Sequence, residues 1–351
     1  MTRSPEIHVD SVRKIFDDGN HNAFTDMCRF GDRMYLCFRS SPDGHMVFST
    51  SRVVVLSSSD GVDWEQVYAF SVPDRDVRDP HLLCFKDQLF VYVGTSYCGD
   101  LAPEGNWRRA EMNQQLGYAA VSADGRNWSE PIALEGTYGH FIWRAAAHDE
   151  TAYLCARRKR GFVELQDDDR SFHESAMLAS DDGLIWRTCA FFQTTRGNET
   201  AFLFEPDGSV VAVARYTMDN SQLCRSNPPY SEWVRTDLNC FIGGPLLVKW
   251  GNRYLVGGRK PFEPVSGRYP SNFFTEPGAE PPDDPRTVLY WLEDDRLVDA
   301  AQLPSGGDNS YPGFIELSPT KGLLSYYSSH EGSRSGAAPC SIYLAELSLR
   351  G

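Results

Sequence analysis

Apolar residues along the chain come in short runs bounded by Gly, Pro, Asn and Asp, a spacing that suits strands, and helical periodicity is nearly absent. Runs such as Met34 to Phe38, Val53 to Leu56, Gln66 to Phe70 and Gly117 to Val121 each end in a polar turn. Three of these turns carry the same motif, Ser-x-Asp-Gly-x-x-Trp, from Ser58 to Trp64, Ser122 to Trp128 and Ser180 to Trp186. The Asp side chain can bond local backbone amides, the Gly tolerates positive φ and the Trp can pack back over the turn. These aspartates are therefore expected to staple hairpins rather than to do chemistry.

Repetition on this scale signals one supersecondary unit per copy. Laid out against the motif, the chain divides into six paragraphs that open near residues 23, 78, 142, 198, 243 and 310, the fourth with a degraded turn from Ser226 to Trp233. Four strands to a paragraph, repeated radially, describe an all-β, six-bladed β-propeller of antiparallel blades occupying residues 1–351 as a single domain. The last paragraph ends on a third strand, Ser341 to Leu347, and the run Ile7 to Val12 has no paragraph of its own. The N-terminal strand is thus expected to close the sixth blade, removing the exposed edge.

Composition narrows the function. The 351 residues carry a net charge of −14, which disfavours nucleic acid because phosphate binding needs clustered Lys and Arg. No run approaches a membrane span and the N-terminus has no apolar signal region, so a cytoplasmic protein without membrane association is expected. Nine cysteines without C-x-x-C spacing read as reduced structural thiols. With no zinc-ligand spacing and no Gly-rich turn opening a helix, neither metal nor cofactor is expected. The Gly306-Gly307-Asp308 segment reads as a turn leading into the last blade.

In a propeller the innermost strands converge on the axis, so the blade openings face one shared cleft. They hold Asp26, Arg78 with Asp79, Trp143 with Arg144, Glu199 and Tyr311. Charged groups are costly at the starts of buried strands, which marks these openings as candidate chemistry. Asp79 between Arg78 and Pro80 also suits a strand-start pair, and Tyr311 before Pro312 a core aromatic. Glu199, ahead of an apolar strand, is the hardest to explain structurally.

The Ser-x-Asp-Gly-x-x-Trp turn resembles the Asp box of the sialidase superfamily, one residue shortened. The segment from Asn198-Glu199 through Asp207-Gly208 to Arg215 is similar to the sialidase fourth-blade segment. The resemblance implies that Tyr311 is the nucleophile, Glu199 its activator, and Arg215 and Arg286 two of three arginines that grip a substrate carboxylate. The third arginine is missing: Phe24-Thr25-Asp26 stands where a sialidase begins its first blade with Arg. Arg39, Arg78 and Arg144 are candidates to replace it, while Asp26 argues against a sialic acid carboxylate at that place. Asp26, Arg78-Asp79-Pro80 and Glu199 also match, in order, the invertase-like and arabinanase-like furanosidases, which are five-bladed.

Glycoside hydrolysis needs a proton donor and a base or nucleophile flanking the bond. The expected function is an exo-acting, sialidase-like glycosidase on an anionic or hydroxyl-rich terminal sugar. Glu199, Tyr311, Asp26 and Asp79 form the catalytic set, with His45 a further candidate acid. Arg39, His45, Arg78, Trp143, Arg144, Arg215, Arg286 and His330 form the sugar-binding set. A non-catalytic carbohydrate-binding propeller, a furanosidase-like hydrolase and a polysaccharide lyase using Tyr311 and a histidine are the alternatives.

Overall fold

Each apolar run becomes a strand whose two faces pack against neighbouring blades, so the strands are buried on both sides and little polar alternation survives in them. A computed structural model describes residues 4–99, 112–162, 170–216, 219–260, 285–332 and 339–350. It contains six four-stranded antiparallel sheets. Blade 1 runs from the axis outward through His21–Phe30, Arg33–Ser41, Arg52–Ser58 and Glu65–Phe70. Blade 2 is Arg75–Phe85, Gln88–Tyr97, Leu116–Ser122 and Ile132–Ala133; blade 3 is His140–His148, Thr151–Lys159, His173–Ser180 and Arg187–Gln193. Blade 4 is Gly197–Phe204, Val210–Tyr216, Asp219–Ser226 and Val234–Asp237; blade 5 is Gly243–Trp250, Arg253–Lys260, Arg286–Glu293 and Arg296–Gln302.

Blade 6 is composite. Asn309–Ser318, Lys321–Ser328 and Ser341–Arg350 are completed by the N-terminal strand Glu6–Phe16, which pairs antiparallel from Glu6 opposite Arg350 to Phe16 opposite Ile342. The seam is reinforced on both sides: Asn22 N–H donates to Cys340 O and Cys340 N–H to Asn20 O. No helix among the described residues is long and apolar enough to cross a membrane.

The repeated turns lie between the third and fourth strands of blades 1, 2 and 3. In each, the Ser hydroxyl accepts the Gly amide at 2.8 Å and one Asp oxygen accepts two amides, those of Val62 and Asp63, Arg126 and Asn127, and Leu184 and Ile185. Trp64 Nε1 donates to the carbonyl three residues back, and Trp233 does the same in the degraded fourth copy.

Every innermost strand carries the same irregularity. The register jumps between Ala23 and Asp26, Arg78 and His81, Ile142 and Ala145, Gly197 and Thr200, Gly243 and Leu246, and Ser310 and Gly313. At each jump two residues oppose one on the second strand, a β-bulge that bends the strand and re-aims a side chain. The first bulged residues are Phe24, Asp79, Trp143, Asn198, Gly244 and Tyr311, and four of them have positive φ: Phe24 at 65°, Asp79 at 53°, Gly244 at 58° and Tyr311 at 49°. Positive φ is uncommon outside Gly and Asn, and such strain persists only where the surroundings over-determine it.

Candidate active site

Tyr311 and Glu199 arrive at the axis from blades 6 and 4 through their bulges. The Tyr311 hydroxyl donates to Glu199 Oε1 at 2.6 Å, while Glu199 Oε2 accepts from Arg215 Nη1 at 2.9 Å and the Gly244 amide at 3.1 Å. Arg215 is the single residue facing the blade-4 bulge on the second strand, which is why it reaches the same carboxylate. Burial acts to raise the Glu199 pKa, but the Arg215 charge and the Tyr311 and Arg215 hydrogen bonds outweigh it and hold the group below its ordinary value. Burial, followed by the charges of Glu199 and Asp79, pushes the Tyr311 phenol well above its usual range. The pair is therefore a neutral phenol hydrogen-bonded to a charged carboxylate that is placed to accept its proton.

Asp79, from the blade-2 bulge, is 4% exposed and its Oδ1 has no hydrogen-bond partner. Burial first, and the Glu199 charge second, raise its pKa to about 7 against the pull of Arg78, Arg157 and Arg39. Two carboxyls in one site with pKa values driven apart have the signature of an acid and a base.

Other predicted residues serve the walls. Asp26 binds Arg144 Nη1 at 2.7 Å and the Leu82 amide at 3.0 Å, with His81 Nδ1 3.2 Å away. Arg144 continues to the carbonyls of Pro245 and Pro312, so this pair ties blades 1, 2, 3, 5 and 6 together. Arg39 does not reach the cleft: it is 0% exposed and bound to Asp76 and to the carbonyls of Gly44, Met46 and Val77. Arg78 shares Asp76 and holds the carbonyls of His45 and Met46. Trp143 is buried to 1% with an unpartnered indole N–H, its ring edge-on to His81 and Tyr311.

His45 belongs to a network that sequence reasoning missed. Asp308 Oδ2 meets His21 Nε2 at 2.8 Å and His45 Nδ1 at 2.5 Å, and Asp308 Oδ1 accepts from Arg259 at 3.1 Å and Tyr327 at 2.8 Å. Burial would raise the Asp308 pKa, yet His45, His21 and Arg259 hold it well below 3.8. Burial lowers both histidines despite Asp308, His21 to about 4. Neutral imidazoles thus donate to a charged carboxylate, and His45 presents an edge of its ring to Phe24 at 5.6 Å. Arg259 lies over the Tyr311 ring at 5.5 Å. The ligand atoms of His21, Asp308 and Cys340 lie within 4.8 Å of one another, but Asp308 is already committed to Arg259 and Tyr327.

Arg286 and His330 do not line this centre. They share a separate surface recess with Gln302, Leu303, Pro304 and Ser305, where Arg286 binds the Ser305 carbonyl. The cation over Tyr311 is Arg259, and a second unanticipated cation, Arg157, bonds Asn198 Oδ1 at 3.2 Å beside Glu199. Both stand on second strands opposite the residue before or near a bulge, Arg259 facing Gly243 and Arg157 facing Phe141. That register, applied to the hairpins from Gly243 and from Phe141, was the signal available for them.

No family model matches the sequence, and no curated protein does. Solved structures do. A crystal structure of an unknown-function protein from Dyadobacter fermentans DSM 18053 superposes with a TM-score of 0.72 at 19% identity, over 99% of this chain and 100% of that one. Trypanosoma rangeli sialidase in complex with 2,3-difluorosialic acid, a covalent intermediate, gives 0.62 at 12% identity over 95% of this chain, which spans 59% of the sialidase. Phage phi92 endosialidase gives 0.64 at 10% identity, over 97% and 69% of the two chains. The likeness is one of fold, the sialidase-like six-bladed propeller.

Proposed function

We propose that this chain is a retaining, exo-acting glycoside hydrolase in which Tyr311 is the nucleophile, Glu199 its base and Asp79 the acid–base. The observation that carries the reading is the 2.6 Å hydrogen bond from Tyr311 to Glu199, with the far oxygen of Glu199 pinned by Arg215 and the Gly244 amide. A phenol with a raised pKa is a poor nucleophile alone, and a positioned carboxylate supplies what it lacks. As Oη attacks the anomeric carbon, its proton passes to Glu199 and protonated Asp79 gives its proton to the leaving oxygen. Asp79 then removes a proton from the incoming water, and Glu199 returns its own to Tyr311 as the glycosyl bond breaks. Two displacements restore the starting configuration, the tyrosine exception to the two-carboxylate rule.

The T. rangeli sialidase captured as a covalent intermediate with a fluorinated sugar supports the same chemistry on the same fold. Asp26 is assigned to the wall, since its oxygens serve Arg144 and Leu82. A panel of aryl glycosides that includes ulosonic acids and furanosides tests the proposal. A hydrolysed member is expected, and its 2-fluoro analogue should add one sugar mass to a peptide containing Tyr311. Unchanged turnover by Glu199→Gln on that substrate would sink the assignment.

A further inference from the structure

Among the described residues, the arginines around the cleft other than Arg157 each contact a carboxylate, Arg39 and Arg78 sharing one. Arg39 and Arg78 face Asp76, Arg144 faces Asp26, Arg215 faces Glu199 and Arg259 faces Asp308. Arg157 has no carboxylate among the described residues. Its Nη1 bonds the neutral amide oxygen of Asn198, its guanidinium lies 5.4 Å from the Phe141 ring centre, and its buried Nε has no partner. Asn198 Oδ1 also accepts the Glu199 amide at 3.0 Å, which fixes the Arg157 head beside the proposed base. The charged groups it senses are Glu199, already held by Arg215, Asp79, and two further cations, Arg215 and Arg170. A half-buried cation without a carboxylate partner carries a desolvation cost that a ligand anion would offset.

We infer that Arg157 is the anchor for an oxyanion carried by the sugar, a carboxylate or a sulfate, on the blade-3 and blade-4 side of the Tyr311–Glu199 pair. The blade-1 opening, by contrast, presents the Asp26–Arg144 pair and Phe24, with Arg78 over its ring and bonded to Asp76. A planar guanidinium with an open edge meets an oxyanion through charge-assisted hydrogen bonds, which a neutral hydroxyl cannot match. The inference rests on the hydrolase reading only for where the sugar lies.

The test is equilibrium titration of the full chain with glucuronate, galacturonate, N-acetylneuraminate and a galactose 6-sulfate, beside glucose and galactose as neutral counterparts. Anionic sugars are expected to bind in preference to neutral ones. Arg157→Gln should weaken the preferred anion by roughly ten- to a hundredfold and leave neutral sugars unaffected, and Arg157→Lys should recover part of the loss. Because it removes an uncompensated charge, Arg157→Gln should melt no lower than the wild type. The carboxylate and sulfate arms identify which oxyanion is read. Equal binding of anionic and neutral sugars, binding of none, or an anionic preference surviving Arg157→Gln overturns the inference. Turnover by Glu199→Gln would instead overturn the hydrolase mechanism and leave the titration result standing.

Discussion

The hydroxyl of Tyr311 donates to Oε1 of Glu199 at 2.6 Å across a separation of 112 residues, joining the bulges of blades 6 and 4 at the propeller axis. Removing either end of this bond should stop chemistry without unfolding the ring. Glu199→Gln and Tyr311→Phe are each expected to lower kcat by about 10²- to 10⁴-fold on a responsive glycoside, the range for a positioned base. Tyr311→Phe leaves the Glu199–Arg215 pair in place and should melt close to the wild type, which would show that its loss is catalytic, whereas Glu199→Gln uncovers Arg215 and its activity is compared per folded molecule.

The Asp79 carboxyl makes stability and activity depend on pH in the same direction. Its pKa is raised from 3.8 to about 7, so the folded state holds a proton that the unfolded state releases between those values. Stability from this group is complete below pH 3.8 and is lost as pH rises to about 7, on the order of 4 kcal/mol in total. Urea titrations at a series of pH values should show this loss in the wild type and its absence in Asp79→Asn. kcat/KM should fall above about pH 7 as the acid ionises.

Asp26 and Arg144 form a buried pair whose loss should be felt in folding. Asp26→Asn leaves the Arg144 charge uncompensated and is expected to cost about 3–5 kcal/mol in chemical denaturation. Activity per folded molecule should stay within a few-fold of the wild type. A drop as deep as that of Glu199→Gln at unchanged stability would return Asp26 to the catalytic set.

Gly244 carries two constraints at once. Its φ is +58°, and a Cβ placed there would lie 2.6 Å from the Tyr311 ring. Gly244→Ala should therefore displace the nucleophile, lengthen the bond to Glu199 and lower kcat by at least about tenfold, with destabilisation of about 1–3 kcal/mol. A crystal structure of the variant together with kcat reads both effects.

Blade number, strand order and the closing role of the N-terminal strand were legible because each rests on local signals: apolar runs, Asp-Gly turns and the unpaired run Ile7 to Val12. Glu199, Tyr311 and Asp79 were legible as charged or polar groups at strand openings. Arg157 and Arg259 were not, because they lie at ordinary positions of second strands and reach the cleft only through cross-strand register. The bulges hide that register, since two residues count as one and the alternation of faces slips. Asp308 was read as part of a turn, yet it collects partners from residues 21, 45, 259 and 327, a convergence that exists only once blades 1, 5 and 6 are adjacent. Arg286 stood at a strand start like the others, but on the third strand of its blade, which opens on a surface recess.

The clasp between Glu6–Phe16 and Ser341–Arg350 gives the site a place in the folding order. Phe24 packs on Tyr311 and His21 bonds Asp308, contacts that span nearly the whole chain and form only when its two ends meet. A ligand resting on Tyr311 would then favour the closed ring, and ligand affinity and ring closure become linked quantities. Hydrogen exchange at the amides of Ile7 to Val12 should slow when the cleft is filled, reporting occupancy from the rim of the molecule.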